Sequence, residues 1–160
     1  MEKVFDLLNS LNIEYQVFEH PAVYTAKEAG EQYKLGSDFG ESKNLFLRNK
    51  KGDKHYLIII EATKQLDLKK IEEKINEKNI SFASPERLLK YLNLTPGSVS
   101  PFGLINDAKK EVLLIIDNNL LKNEKLGFHP NINTQTLILK TVDFLRVINT
   151  LGNKILFEDL

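Results

Sequence analysis

The sequence predicts one α+β domain, mixed α/β in character, wrapped around a single central sheet. Three observations lead there. At 160 residues with 42% hydrophobic content, the chain can bury roughly two-thirds of its unfolded surface in one core. Stretches with helical apolar spacing are interspersed with short runs rich in Leu, Ile and Phe. No internal repeat, low-complexity tract or linker divides residues 1–160, so they read as one domain.

Val4, Leu7, Leu8 and Leu11 recur at helical spacing, and Asn12 ends the pattern, which predicts a helix over 2–11. A short strand over 15–18 follows. Thr25 stands before Ala26 with Glu28 three residues on, a capping-box pattern that predicts a helix over about 26–33. The runs 43–48 and 55–61, separated by Asn49-Lys50-Lys51-Gly52-Asp53, read as a hairpin buried on both faces at its centre. Asp67 can cap a helix that turns Leu68, Ile71 and Ile75 inward, with Lys69 and Glu73 spaced to pair outside. Ser84-Pro85-Glu86 opens another helix to about 92, proline suiting the first turn. Pro96, Gly97, Pro101 and Gly103 then crowd into eight residues and force a shaped loop, because proline removes amide donors. Strands over 112–117 and 136–140 come next, then a final helix over 142–151 stopped by Gly152.

The composition excludes several classes of function. With no cysteine, thiol nucleophiles, zinc-thiolate sites and disulfides are all absent, as suits a reducing, cytoplasmic address. The acidic start Met1-Glu2-Lys3-Val4-Phe5-Asp6 and the short apolar runs (57–60 and 112–116) fit neither an export signal nor a membrane span. A net charge of zero argues against gripping long duplex DNA, whose affinity comes from many Lys and Arg contacts to phosphate. A small nucleic-acid footprint is compatible with it. Lys43, Arg48, Lys50, Lys51, Lys54 and His55 cluster around the hairpin, although solvated hairpin tips are commonly charged for solubility alone.

Three segments break local rules, as functional sites tend to do. Lys43 lies in a strand read as buried on both faces, where an ammonium costs several kcal/mol unless it opens into a cleft or meets an anion. A lysine snorkelling from an edge strand is the plainer reading of such a residue. The loop Gly97-Ser98-Val99-Ser100-Pro101 combines a permissive glycine with stiff prolines, so successive amides can face an oxyanion; a structural turn is the simpler alternative. His129 sits in Phe128-His129-Pro130-Asn131-Ile132-Asn133-Thr134, a loop suited to hydrogen bonds with a ligand or its own backbone. His20 and His55 are far off in sequence without ligand spacing, so no metal or other cofactor is expected. Asn106-Asp107 reads as a turn and Thr25 as a cap. Ser42 and Ser98 lack a nucleophile-elbow setting and no phosphate-binding G-x-x-x-x-G-K-[ST] motif occurs, so a covalent hydrolase or a nucleotide-triphosphatase lacks its parts.

In order and spacing, His20-Pro21, residues 25–29, Ser42-Lys43-Asn44-Leu45, Gly97 to Pro101, Asn106-Asp107, His129-Pro130-Asn131 and Thr141-Val142-Asp143 resemble a known family. It is that of the free-standing prolyl-tRNA editing proteins of the YbaK / aminoacyl-tRNA-synthetase-associated domain, nearest to the branch that deacylates alanyl-tRNA(Pro). The resemblance implies a YbaK-like domain: a mostly antiparallel or mixed sheet, or a partly closed barrel, with surrounding helices. It also implies trans-editing of mischarged tRNA(Pro), most of all Ala-tRNA(Pro), by water attack on the ester. Cys-tRNA(Pro) deacylation and a non-catalytic module that binds tRNA or a synthetase are the alternatives. By the same resemblance, Lys43, Gly97 and Ser98 act in catalysis, and Thr25, Asn44, Pro101, His129, Asn131 and Asn133 contact substrate. The implied partners are the tRNA(Pro) acceptor end and prolyl-tRNA synthetase, with no membrane or duplex DNA.

Overall fold

The computed structural model describes residues 2–22 and 38–160; the helix expected over 26–33, and Thr25 with it, lie outside the described residues. Helix α1 (Glu2–Ser10) leads to β1 (Tyr15–Glu19), then to the hairpin of β2 (Gly40–Arg48) and β3 (His55–Glu61). Helix α2 (Leu68–Ile75), the short β4 (Ser81–Phe82) and helix α3 (Pro85–Leu92) follow. A 3-10 helix (Pro101–Asn106) precedes β5 (Val112–Asp117), and a 3-10 turn (Leu120–Lys122) precedes the antiparallel pair β6 (Lys125–Phe128) and β7 (Gln135–Lys140). Helix α4 (Thr141–Leu151) and β8 (Ile155–Glu158) complete the order.

The caps form as the residue types dictate. The Asp67 side chain accepts from the Lys70 amide at 3.3 Å and the Ser84 hydroxyl from the Arg87 amide at 3.2 Å, satisfying first-turn donors. Gly152 ends α4 at φ 85°, a left-handed conformation open to glycine.

Eight strands make one mixed sheet in the order β1-β7-β6-β2-β3-β5-β8, with β4 attached to β2. Pairings β1/β7, β6/β7, β2/β3 and β2/β4 are antiparallel, while β2/β6, β3/β5 and β5/β8 are parallel. The sheet is open, so the mixed sheet and not the partly closed barrel is the architecture found. Parallel crossovers place helices on its faces, and apolar surface is buried against those helices instead of by curling. On one face Phe46, Ile59, Leu114, Leu126, Phe128 and Leu137 pack with Val4, Leu88, Phe102 and Phe144. On the other, Leu47, Ile58, Ile60 and Ile115 pack with Ile71 of α2. Strand alternation sorts the two sets: Phe46 faces one core and its neighbour Leu47 the other.

Three strands went unread in the sequence. β4 has two residues, β6 is the four-residue Lys-Leu-Gly-Phe with a glycine inside it, and β8 follows a helix stop closely. All three are short, and β6 contains a residue that weakens strands.

Candidate functional site

Strand β2 pairs with β6 only at Gly40↔Leu126 and Glu41↔Gly127, and with β4 only at Leu47 and Arg48. Between those contacts, residues 42–46 have β3 on one side and no strand on the other among the described residues. The Phe46 carbonyl accepts from the Ala83 amide on that open side. Backbone groups two residues apart point the same way, so the Asn44 amide and carbonyl also aim into the gap. The Ser42 hydroxyl closes its crotch by donating to the Gly127 carbonyl at 3.1 Å.

Lys43 and His129 each lie two residues past the last β2/β6 pair, Glu41↔Gly127. Glu41, Lys43 and Leu45 share one face of β2 by alternation. The face of β6 is fixed at Gly127, where an added Cβ would lie 2.6 Å from the Phe39 ring and 3.5 Å from Thr136 Cγ2. Thr136 Oγ1 in turn meets His20 Nε2 at 2.8 Å, and the His20 and His129 rings stand 6.1 Å apart. Lys43, Glu41, Phe39, His20 and His129 therefore gather on one face. The Lys43 ammonium donates to the Lys64 carbonyl. Lys64 is itself held, its ammonium 2.6 Å from the fully buried Asp117 carboxylate and 2.9 Å from the Leu160 carbonyl. An ammonium has three protons to give, so one contact anchors Lys43 and leaves it able to bind an anion or a carbonyl.

His129 Nδ1 lies 2.9 Å from the Gln135 carbonyl. A carbonyl can only accept, so Nδ1 carries the proton and Nε2 is left as an acceptor. Burial pushes the His129 pKa below its ordinary value; the Gln135 carbonyl opposes that shift and His20 adds to it. His20 repeats the pattern: Nδ1 donates to the Pro21 carbonyl at 2.9 Å, so Nε2 accepts from the Thr136 hydroxyl. Thr136 and Phe39 were missed in the sequence, since neither belongs to a recognisable motif. The glycine at 127, which makes room for the Phe39 ring, was the available signal.

Of the other predicted residues, Asn44 lies on the opposite face of β2 from Lys43. Asn44 donates to the Ser42 hydroxyl at 3.3 Å, and its buried Oδ1 has no partner among the described residues. Asn131 adopts φ 64° and likewise leaves Oδ1 buried and unpaired, as does Gln135 Oε1. Asn133 shares this turn. The Phe102 ring meets the Phe128 ring edge-on at 5.9 Å, joining the 97–101 loop to the strand that leads into His129.

Within that loop, Gly97 has φ 90° and the Ser98 amide donates to the Thr95 carbonyl at 3.1 Å. With Pro96 second and glycine third, this is a type II turn. The Ser98 amide is engaged in that turn and helps to shape the loop. Ser100 is fully buried and caps the 3-10 helix, its hydroxyl accepting from the Phe102 amide at 3.1 Å, and Pro101 opens that helix.

Two other groups singled out in the sequence are structural. Asp107 opens the turn expected there, its carbonyl accepting from the Lys110 amide at 3.1 Å, and it is buried: its carboxylate accepts from the Glu111 and Val112 amides and from Asn153 Nδ2 at 2.8–3.1 Å. Asn106 donates to the Leu92 carbonyl at 2.9 Å. His55, 3.9 Å ring to ring from Tyr91, meets Arg87 at 3.1 Å. Burial, then Arg87, Arg48 and Lys90, lower its pKa to about 4. The hairpin tip is partly neutralised, since Lys51 pairs with Asp53 and Lys54 with Glu77. No three His, Asp or Glu side chains group to hold a metal among the described residues.

Comparison with known proteins shows the family and the fold. The aminoacyl-tRNA editing domain model matches residues 20–147. Over 152 residues the chain is 40% identical to the prolyl-tRNA editing protein ProX of Acetoanaerobium sticklandii, spanning 95% of this chain and 92% of that one. The multifunctional Ser/Thr-tRNA deacylase ProXp-y of Escherichia coli K12 is 25% identical over 150 residues, spanning 91% of this chain and 86% of its own. A solved candidate trans-editing enzyme for prolyl-tRNA synthetase has a TM-score of 0.75 at 21% identity, over 99% of this chain and 94% of its own, a likeness of fold.

Proposed function

The chain belongs to the aminoacyl-tRNA editing domain family and is an aminoacyl-tRNA deacylase of the prolyl-tRNA editing kind, and we propose that its substrate is Ala-tRNA(Pro). The observation that supports the reading is the gap beside β2, into which the Asn44 amide faces, with Lys43 and His129 just past the last β2/β6 pair.

Water attacks the ester carbonyl, and the tetrahedral oxyanion forms. It then collapses with loss of the ribose oxygen, which takes up a proton, to give free alanine and tRNA. Lys43 meets the developing charge or the terminal phosphate. The Asn44 and Gly97 amides face the oxyanion without reorganising, where one such donor is worth roughly 10²–10³ in rate. His129 Nε2, an acceptor, binds a hydroxyl or exocyclic amine of the terminal adenosine, with Asn131 and Asn133 beside it. An aminoacyl ester is already activated, so positioning suffices and the vicinal ribose hydroxyl directs the water. No protein base is assigned.

An apolar pocket that admits alanine rejects proline by size but separates alanine poorly from anything smaller. The neutral net charge leaves the tRNA body to few contacts or to a bound prolyl-tRNA synthetase. Action on tRNA supports a cytoplasmic address; among the described residues no helix is long and apolar enough to cross a membrane.

The test is deacylation of tRNA(Pro) charged with alanine, cysteine, serine or proline. Alanine released fastest and proline spared supports the reading. Preference for cysteine or serine assigns the other substrate, and no release from any of them leaves a binding module.

A further inference from the structure

Glu41 is the acid on the face that carries Lys43 and His129, and the proposed chemistry leaves it unused. It lies opposite Gly127, whose missing side chain makes room for the Phe39 ring packed over the backbone there. Its carboxylate makes no hydrogen bond or ion pair with the described residues, because Lys43, two residues along, turns its ammonium to the Lys64 carbonyl. Burial pushes the Glu41 pKa above its ordinary value, with no cation of the described residues acting against it. His129 and His20 stand there too, both holding their Nδ1 proton on carbonyls, and Lys125 of β6 shares this face by alternation.

A half-buried carboxylate without a counter-charge is costly to keep, and such a cost is commonly met by a ligand cation. Side chains two residues apart on one strand face stand about 7 Å from each other, a span that lets Glu41 and Lys43 hold the two ends of an aminoacyl group. An α-amino group has a pKa of about 7.7–8.0, so it is largely cationic at neutral pH.

We propose that Glu41 receives the α-ammonium group of the aminoacyl ester, so that the site reads a free amino acid and rejects an N-acylated one. This rests on the deacylase reading for the identity of the ligand. Lys43 then addresses the ester and Glu41 the amine, and Phe39 walls the space between them.

The test compares single-turnover hydrolysis of Ala-tRNA(Pro) and N-acetyl-Ala-tRNA(Pro) by the wild type and by Glu41→Gln. The wild type should prefer the free amine by at least about 50-fold, the order of one charge-assisted contact. Glu41→Gln should lose most of that preference by slowing on the free amine alone, its rate on the N-acetyl ester holding. A wild type indifferent to acetylation, or a variant that keeps the full preference, overturns the proposal. A second arm follows the Glu41 side-chain carboxyl by NMR as 3′-alanylamido-3′-deoxyadenosine, which cannot be hydrolysed as an ester, is added. Binding should lower the carboxyl pKa, and binding without that change overturns the role of Glu41. Binding with that change but no hydrolysis of any ester overturns the deacylase reading and keeps the ammonium site. An analogue that does not bind overturns both.

Discussion

Lys43, Gly97 and His129 each answer a different physical demand. Lys43 shows a cation in a strand otherwise sorted between two cores, tolerated because its ammonium lies at a strand end against a carbonyl. Gly97 is needed for its backbone: at φ 90°, a Cβ costs about 1–2 kcal/mol. Gly97→Ala should therefore lower the unfolding free energy by that much, moving the urea midpoint down, and slow deacylation, because the 95–98 turn carries the loop. An unchanged midpoint would show that the turn tolerates a side chain. His129 holds its Nε2 lone pair because burial lowers its pKa. A lowered pKa means that the unfolded chain binds a proton first as pH falls, so the His129 contribution to stability is intact above about 6.5 and fades below it. The acceptor role follows the same sign: deacylation should hold level down to about pH 6.5 and decline as Nε2 is protonated. His129→Gln, which cannot titrate, should lose that decline. These residues were legible because polar or special-backbone types stood in apolar surroundings. Glu41 and Phe39 were not, because their meaning depends on what lies across the ladder at Gly127.

The elements fold where local chemistry agrees with packing. The caps at Asp67 and Ser84 and the hairpin of β2 and β3 were all readable, whereas β4, β6 and β8 owe their existence to partners distant in sequence. Asp107 belongs to this scale: it ties the end of the 3-10 helix to β5 and to Asn153 through three hydrogen bonds. Asp107→Ala should cost about 3 kcal/mol in urea unfolding, since charged acceptors are worth roughly 1.5–3 kcal/mol each and do not add fully. The hairpin and α3 meet at His55, whose pKa of about 4 means that it folds neutral. The unfolded chain, with a pKa near 6.5, gains protons first, so stability should fall as pH drops from about 6.5 to about 4. Urea titrations across that window should show the slope, and His55→Gln should reduce it.

For the whole molecule, an open mixed sheet with helices on both faces produces the site, because β6 leaves β2 after two pairs and opens a gap in the layer. Segments separated by more than eighty residues meet there. The sequence shows them in order but not the gap, which arises from where the ladder stops. Alternation also divides Lys43 from Asn44, adjacent in sequence yet on opposite faces, so the site wraps the strand. The net charge of zero sets the long-range behaviour: tRNA affinity should fall only shallowly with salt, with a log–log slope of about −1 to −3, where each phosphate contact contributes about −0.7 to −0.9. A slope near −10 would contradict a small acceptor-end footprint. The most direct test of the central claim is single-turnover hydrolysis of Ala-tRNA(Pro) by the wild type and by Lys43→Ala, with the folded state of both checked by urea midpoint. The account predicts rapid alanine release that falls at least about 100-fold in a stably folded variant. Equal rates in the two proteins would contradict a site centred on Lys43.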